Sequence, residues 1–224
     1  MKKGLILLTS ILLLSSGYGA AQLSKQELKE RKELSKQTKK QLNEKASKAA
    51  RKEAKKLTKE GWKTAPGALP LEKQLDRSYL MQMEYTSDGF PQYIMAEGMS
   101  TAGNYDAGKM QALELAKQNL AGQIQTEITA LIENTVANDQ GEQGAAVSLT
   151  RSVMASKNLI SQSIGRVVPV VETYRQVNGN NREVLVRIAY SMDEAKAIVK
   201  KAIKQELEER GDSLHNKLDQ LLGW

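Results

Sequence analysis

The sequence contains no cysteine, and His215 is its only histidine. The absence of cysteine excludes disulfides, cysteine nucleophiles and thiolate-bound metals, and a single histidine excludes metal sites built from several imidazoles. Aromatic residues account for only 4% of the 224 residues, so a core has to consist of Leu, Ile, Val, Ala and Met side chains. The sequence also lacks a phosphate-binding loop, a dinucleotide fingerprint and a calcium-binding loop. These absences predict a protein that is not an enzyme and that binds no cofactor and no metal.

One tetrapeptide would, taken alone, indicate an enzyme. Gly211-Asp212-Ser213-Leu214 matches the signature of a hydrolase family, and His215 follows it directly. In that family the signature lies at a strand-to-turn position near the start of an α/β domain, whereas here it lies between two predicted helices. We therefore interpret the match as a coincidence.

Long hydrophobic runs are missing except near the N-terminus. Lys2 and Lys3 precede an apolar run from Leu5 to Leu14, and small residues follow up to Ala21. This is the three-part pattern of a secretory signal peptide, and the run is shorter than the roughly 20 residues that span a bilayer. We expect cleavage near Ala21 and a periplasmic or secreted protein; an uncleaved N-terminal anchor is the alternative. No cysteine follows the cleavage point, so the protein is not expected to be a lipoprotein.

The excess of positive charge lies in one part of the chain. Residues 23–63 hold 15 basic and 6 acidic residues, whereas residues 64–224 hold 16 basic and 20 acidic ones. The pI near 9.4 is therefore a property of residues 23–63. Opposite net charges make the two parts attract each other at low salt.

Residues 23–60 are predicted to form a helix. They contain no Pro or Gly and are rich in Lys, Glu, Gln, Leu and Ala. From Leu42 onward the apolar residues recur every three or four positions and form a narrow stripe, mostly of alanine. Three interpretations stay open: a solvated tether, a helix that docks on an acidic or apolar partner, and a binder of anionic lipid or envelope polymer. Nucleic acid is not an expected partner, because export prevents the encounter and no aromatic residues interleave the basic ones.

Gly and Pro residues divide the rest of the chain. Gly61 ends the basic helix, and Pro66, Gly67 and Pro70 mark a linker. Trp62 at this junction is interpreted first as an anchor that packs the linker onto the domain, and second as a ligand contact. The expected divisions are a signal peptide at 1–21, a basic helical extension at 22–63, a linker and short helix at 64–91, an α+β domain at 92–210 and a leucine-rich C-terminal helix at 211–224.

The pattern after the linker predicts an α+β fold with a small three-stranded antiparallel sheet. A strand is expected over 92–99, and a long helix over 107–136, capped by Asp106 and with Met110 on its apolar face. A second helix is expected over 145–164, with Val147 among its apolar residues. The runs 166–177 and 182–191 flank an Asn-Gly turn and predict a hairpin, with Pro169 at an edge or a bulge. A helix opened by Asp193 follows, and we expect the helices to pack on one face of the sheet.

A family resemblance rests on this part of the chain. Ile94-Met-Ala-Glu-Gly98, the Ala-rich stretch from Asp106 to Ala121 and the Val-rich hairpin resemble the LPP-twenty family of small membrane-associated lipoproteins. They are also similar to the N-terminal domain of flagellar assembly protein T. The resemblance covers about residues 92–200 and implies a non-enzymatic envelope domain of accessory, surface or assembly proteins. This chain differs in lacking the lipidated cysteine, and the basic helix is a candidate replacement for that anchor.

We therefore predict a cell-envelope interaction protein that binds another envelope protein, or an anionic envelope surface. The alternative is a binder of a small ligand or envelope polymer in a cleft between sheet and helices. Deleting residues 23–60 is expected to abolish association and to leave the domain folded. The C-terminal leucines either fold back on the domain or form a homo-oligomer, and a sheet edge offers a further contact. The candidate interaction residues are Lys36, Lys39, Lys40, Lys48, Arg51, Lys52, Lys55, Lys56, Trp62, Leu214, Leu218 and Leu221.

Overall fold

In a computed structural model of the chain, the structure describes Lys29, Lys36 and residues 44–86, 89–137 and 143–209. Residues 46–224 belong to one compact unit and residues 1–45 to another. The order of elements confirms the predicted α+β class. They are α1 (Lys48–Lys59), α2 (Leu71–Gln82), β1 (Tyr93–Ala102), α3 (Tyr105–Ala137), α4 (Gln143–Ala155), α5 (Lys157–Ser163), β2 (Val168–Gln176), β3 (Arg182–Ser191) and α6 (Met192–Glu209).

The three strands form one antiparallel sheet in the order β1-β3-β2. β2 and β3 are the two arms of the predicted hairpin, and Gly179 at its tip has a φ of 67°, a conformation that favours glycine. The pairing register shifts between Pro169 and Val171, so Pro169 lies at a bulge in an edge strand, as its missing N–H predicts. β1 pairs with the other side of β3 along its whole length.

The main core lies between one face of the sheet and the helices α3 and α6. The predicted alternation of β3 is confirmed, because Val184, Val186 and Ile188 are buried on this face. Gly98 of β1 brings the two layers closest, and a Cβ at this position would lie 2.1 Å from the Ala112 carbonyl oxygen. Tight contact between strand and helix therefore needs glycine here.

Two details of the long helix differ from the predictions. Asn104 rather than Asp106 caps α3, because the Asn104 side-chain oxygen accepts a hydrogen bond of 2.9 Å from the Ala107 N–H. Helix α3 thus begins at Tyr105, and Asp106 lies in its first turn. Met110 is 73% exposed, because the buried side of α3 runs through Ala112 and Ala116 and Met110 lies on the other side of the helix. Val147 in α4 is likewise exposed rather than apolar core.

The predicted single helix over 145–164 is two helices that meet at Ser156. The buried Ser156 hydroxyl donates a hydrogen bond of 2.6 Å to the Ser152 carbonyl. The Gln125 side-chain amide of α3 donates to the carbonyls of Val153 and Met154 at the end of α4. The bonds from Gln125 satisfy carbonyls that the break in the helix releases.

The opposite face of the sheet is covered too, which corrects the expectation of helices on one face only. Helices α1 and α2 pack there in a second, smaller core with Val171 of β2. The sheet therefore lies between two helical layers over part of its area. The Val171 side chain points away from α3, because successive side chains of a strand point to opposite faces of the sheet.

Candidate functional site

Helix α1 begins at Lys48, so the predicted helix 23–60 is interrupted at residues 44–47. Ser47 is the N-cap, and its side-chain oxygen accepts a hydrogen bond of 3.2 Å from the Ala50 N–H. The Ser47 N–H in turn donates to the Asp76 carboxylate of α2 at 2.9 Å. A helix that continued through Ser47 would lose both bonds. Helicity is described at Lys29 and Lys36, and the remainder of 23–43 lies outside the described residues.

One side of α1 belongs to the folded core. Ala46, Ala50 and Ala54 are 5% exposed or less and pack with Leu71 and Leu75 of α2. Small alanine side chains allow the two helices to approach closely. The structure thus contradicts the expectation that residues 23–60 are removable, because their deletion would uncover this second core.

The other side of α1 carries a dense group of exposed cations. At 100° per residue they cover about 140° of the helix circumference, opposite the buried alanines. They extend over about 16 Å along the helix axis. Glu53 is the one acidic residue of α1, and it lies at the flank of this surface. We call this surface the α1 basic face; it consists of Lys48, Arg51, Lys52, Lys55, Lys56 and Lys59.

Charge on the α1 basic face is not neutralised within the described part of the chain. The ion pairs found there join Lys109 with Glu172, Arg175 with Glu183, and Arg187 with Glu97. None of them includes a cation of α1. A rigid helix with several unpaired cations of one sign produces a positive potential that attracts anionic partners and that salt screens.

Trp62 is an anchor and not part of an exposed contact surface. It is 5% exposed, and the Arg175 guanidinium stacks 4.6 Å from the centre of its ring. Lys63 next to it exchanges two backbone hydrogen bonds with Tyr174 of β2, at 2.7 and 2.8 Å. Trp62 and Lys63 thus fix the end of α1 to the sheet, which confirms the anchor interpretation and removes Trp62 from the interaction residues.

The other predicted interaction residues have different outcomes. Lys48, Arg51, Lys52, Lys55 and Lys56 lie together on the α1 basic face, and Lys36 is exposed. The prediction omitted Lys59, which follows Lys55 at helical spacing. Outside the described residues lie Lys39, Lys40, Leu214, Leu218 and Leu221, together with the tetrapeptide 211–214 and His215.

The two edges of the sheet differ. The outer edge of β2 is covered, because Lys63 pairs with Tyr174 and the Gln74 side-chain oxygen accepts the Glu172 N–H at 2.7 Å. The outer edge of β1 borders an open groove of about 580 Å³. We call it the β1 groove. Its lining includes Met95, Glu97, Gln118, Asn119, Gly122 and Lys157.

A signal for the β1 groove exists in the sequence but was missed. Gln118, Asn119, Gly122, Gln123 and Thr126 follow one another at helical spacing, so they form a polar stripe on an otherwise Ala-rich and Leu-rich helix. The stripe runs along the floor of the groove beside β1.

A second cleft of about 390 Å³ lies between residues 65–69 and β2. The Glu172 carboxylate here accepts hydrogen bonds from the Tyr105 hydroxyl and the Lys109 ammonium, the latter at 2.8 Å. Burial and this neighbouring carboxylate raise the pKa of Tyr105 well above its ordinary value. Arg77 lines the same cleft. Two cations against one carboxylate give the cleft a net positive charge.

Comparisons with protein-family models, curated proteins and solved structures found no match to this chain. None of the helices described here is long and apolar enough to cross a membrane. Nor do three or more potential metal ligands converge anywhere in the described ranges.

Proposed function

We propose that this chain is an exported, non-enzymatic interaction protein of the cell envelope, which binds an acidic surface of another envelope component through the α1 basic face. The observation that carries the proposal is the orientation of α1. Its alanines are buried against α2, so its six exposed cations face outward on a fixed helix. A helix backbone that is already ordered by packing loses little further conformational freedom on binding.

The same orientation favours a contact made by charge alone. A helix that inserts into a lipid surface uses its apolar side for insertion. The apolar side of α1 is already occupied by Leu71, Leu75 and Val171. Binding through this helix is therefore electrostatic and weakens as the salt concentration rises.

Two features of the sequence support the envelope as the place of action. The N-terminal pattern is that of an exported protein. The resemblance to the LPP-twenty family implies an envelope domain, and this chain lacks the cysteine that anchors those lipoproteins. In this proposal the α1 basic face holds the protein at the envelope in place of a lipid.

Fractionation of cells tests the proposal. The triple variant K48E/K52E/K55E reverses charge in the middle of the α1 basic face, and glutamate near the start of a helix interacts well with the helix dipole. We expect the unaltered chain to sediment with envelope membranes and the variant to stay in the supernatant. Washing the membranes with about 0.5 M salt should release the unaltered chain, because such salt reduces the screening length to a few ångströms.

The matched control is R166E/K201E/K204E, which changes the net charge equally at exposed positions away from α1. It should sediment like the unaltered chain. Circular dichroism and a urea titration establish that both variants are folded. Equal release of both variants would show that net charge alone matters, and the proposed role of α1 would be wrong.

The cleft beside residues 65–69 favours a second function, the binding of a small anionic ligand. Arg77 and Lys109 line one cleft, and Glu172, which pairs with Lys109, is the one carboxylate in its lining. A panel of small carboxylates and phosphates should then raise the melting temperature of the full chain, and R77A should abolish this increase. If no member of the panel raises it, this second function is rejected.

A further inference from the structure

Among the residues that the structure describes, no strand pairs with the backbone groups on the outer edge of β1. The Glu97 carbonyl accepts a hydrogen bond of 2.7 Å from the Asn119 side chain, so the backbone of residue 97 faces away from β3. Residues that face the same way alternate along a strand, and Met95 and Met99 therefore share this orientation. The bond from Asn119 uses one lone pair of the Glu97 carbonyl, and the second is left for another donor.

The groove beside this edge has room for a peptide backbone. Helix α3 touches β1 most closely at Gly98 and then carries its polar stripe along the β1 groove. Gly122 lies in the floor of the groove, and a Cβ built on it meets no atom within 4 Å. A volume of about 580 Å³ is open here.

We infer that the β1 groove binds an extended segment of a partner polypeptide, which adds to β1 as a fourth strand. Backbone N–H and C=O groups that face outward in a row, and that pair with no strand in the described part of the chain, select an extended backbone over a sugar or a lipid. This contact is separate from the α1 basic face and does not depend on the function proposed for it.

The residues that line the β1 groove also favour particular side chains in the bound partner segment. Successive residues of a strand point to opposite faces. On one face the segment meets Met95 and Met99, the latter 52% exposed, which favour an apolar side chain. On the other face it meets amide side chains and the exposed Lys157, which favour polar and acidic side chains. Lys157 takes part in none of the ion pairs found among the described residues, so its charge is left for the partner.

A second copy of this chain fits the groove less well than such a segment. In the antiparallel register that aligns Met95 with Met99 of the other copy, the two Glu97 residues lie directly opposite each other. Like charges in that position destabilise a strand pair. Charged side chains on an edge strand are a common device against self-association.

The test uses displayed random peptides of the same length as β1, selected on the full chain without its signal peptide. Enriched peptides should alternate apolar with polar or acidic residues. Gly122→Trp fills the floor of the groove and should weaken their binding by about tenfold or more. The control, Gly122→Ala, leaves the groove open and should bind them as the unaltered chain does. Both changes replace a helical glycine, so neither should lower the free energy of unfolding.

Amide hydrogen exchange then locates the contact. The N–H groups of Met95, Glu97 and Met99 should become protected only when peptide is present, and K48E/K52E/K55E should bind the peptides unchanged. The inference is wrong if no peptide is enriched, or if G122W binds the enriched peptides as well as G122A does. It is also wrong if these amides are already protected in the chain alone, because the chain or a second copy would then cover the edge.

Discussion

Adding one methyl group at Gly98 tests how closely α3 crosses β1. A Cβ at this position would lie 2.1 Å from the Ala112 carbonyl oxygen and 2.4 Å from the Ala116 nitrogen. Non-bonded heavy atoms of this kind pack at about 3.5 Å, so the helix would have to move by about 1.4 Å. Both atoms belong to the helix backbone, and no side-chain rotation can relieve the contact.

The cost follows from what this movement disturbs. Ala112 and Ala116 are fully buried, and a shift of α3 opens the main core on both sides of them. Overpacking typically costs 1–3 kcal/mol, and contact with rigid backbone places Gly98→Ala at the upper end, about 3 kcal/mol. With a urea dependence of about 2 kcal/mol per molar, the unfolding midpoint should fall by about 1.5 M.

Gly103→Ala is the matched control for this measurement. Residue 103 directly follows β1, and a Cβ there meets nothing within 4 Å. Its free energy of unfolding should stay within about 0.5 kcal/mol of that of the unaltered chain. If Gly98→Ala is as stable as Gly103→Ala, the close approach of α3 to β1 is wrong, and so is the position of the groove floor.

Two further predictions concern α1 and the Tyr105 cluster. Ala50→Lys should lower the free energy of unfolding by about 3 kcal/mol, because it places a charge and extra volume in the second core. The control Ala49→Lys lies on the exposed side of α1 and should change the free energy of unfolding by less than about 0.5 kcal/mol. Equal values for the two variants in urea titrations would mean that α1 is not docked. Because the folded state raises the pKa of Tyr105, the unfolded state loses this proton first, so stability should fall as the pH rises above about 10. Tyr105→Phe should fall less steeply between pH 9 and 11 in the same titration, and identical slopes would contradict the contact with Glu172.

Much of the sheet could be predicted from the sequence because its patterns are local. Val184, Val186 and Ile188 alternate with more polar residues, and an Asn-Gly turn precedes them, so strand, face and hairpin follow from spacing alone. Pro169 has no N–H to donate, which restricts it to an edge or a bulge whatever the rest of the fold does.

The second helical layer could not be predicted in this way. The stripe of Ala46, Ala50 and Ala54 is equally compatible with a solvated helix and with a docked one, since alanine is indifferent to burial by itself. What decides between them is a distant partner: Leu71, Leu75 and Val171 supply the apolar surface. Trp62 and Lys63 reach β2 more than a hundred positions away, a contact to which no local pattern points.

The candidate site likewise combines a local pattern, which the sequence shows, with distant contacts, which it does not. Clustered lysines on one helix were visible in the sequence, but their value as a fixed surface depends on the packing of the opposite side of α1. The sequence also does not show which of two nearby residues caps α3. Asn104 and Asp106 are both good N-caps, and only the path of the chain leaving β1 selects Asn104.

Site-specific photo-crosslinking in living cells addresses the α1 basic face most directly. A photoactivatable residue at Ala49 lies beside the cations, and one at Asn180 on the exposed hairpin tip serves as the control. We predict crosslinks to a defined envelope component from position 49, their loss in K48E/K52E/K55E, and none of these crosslinks from position 180. Crosslinks that persist from position 49 in the charge-reversed variant, or that arise equally from position 180, would contradict binding through the α1 basic face.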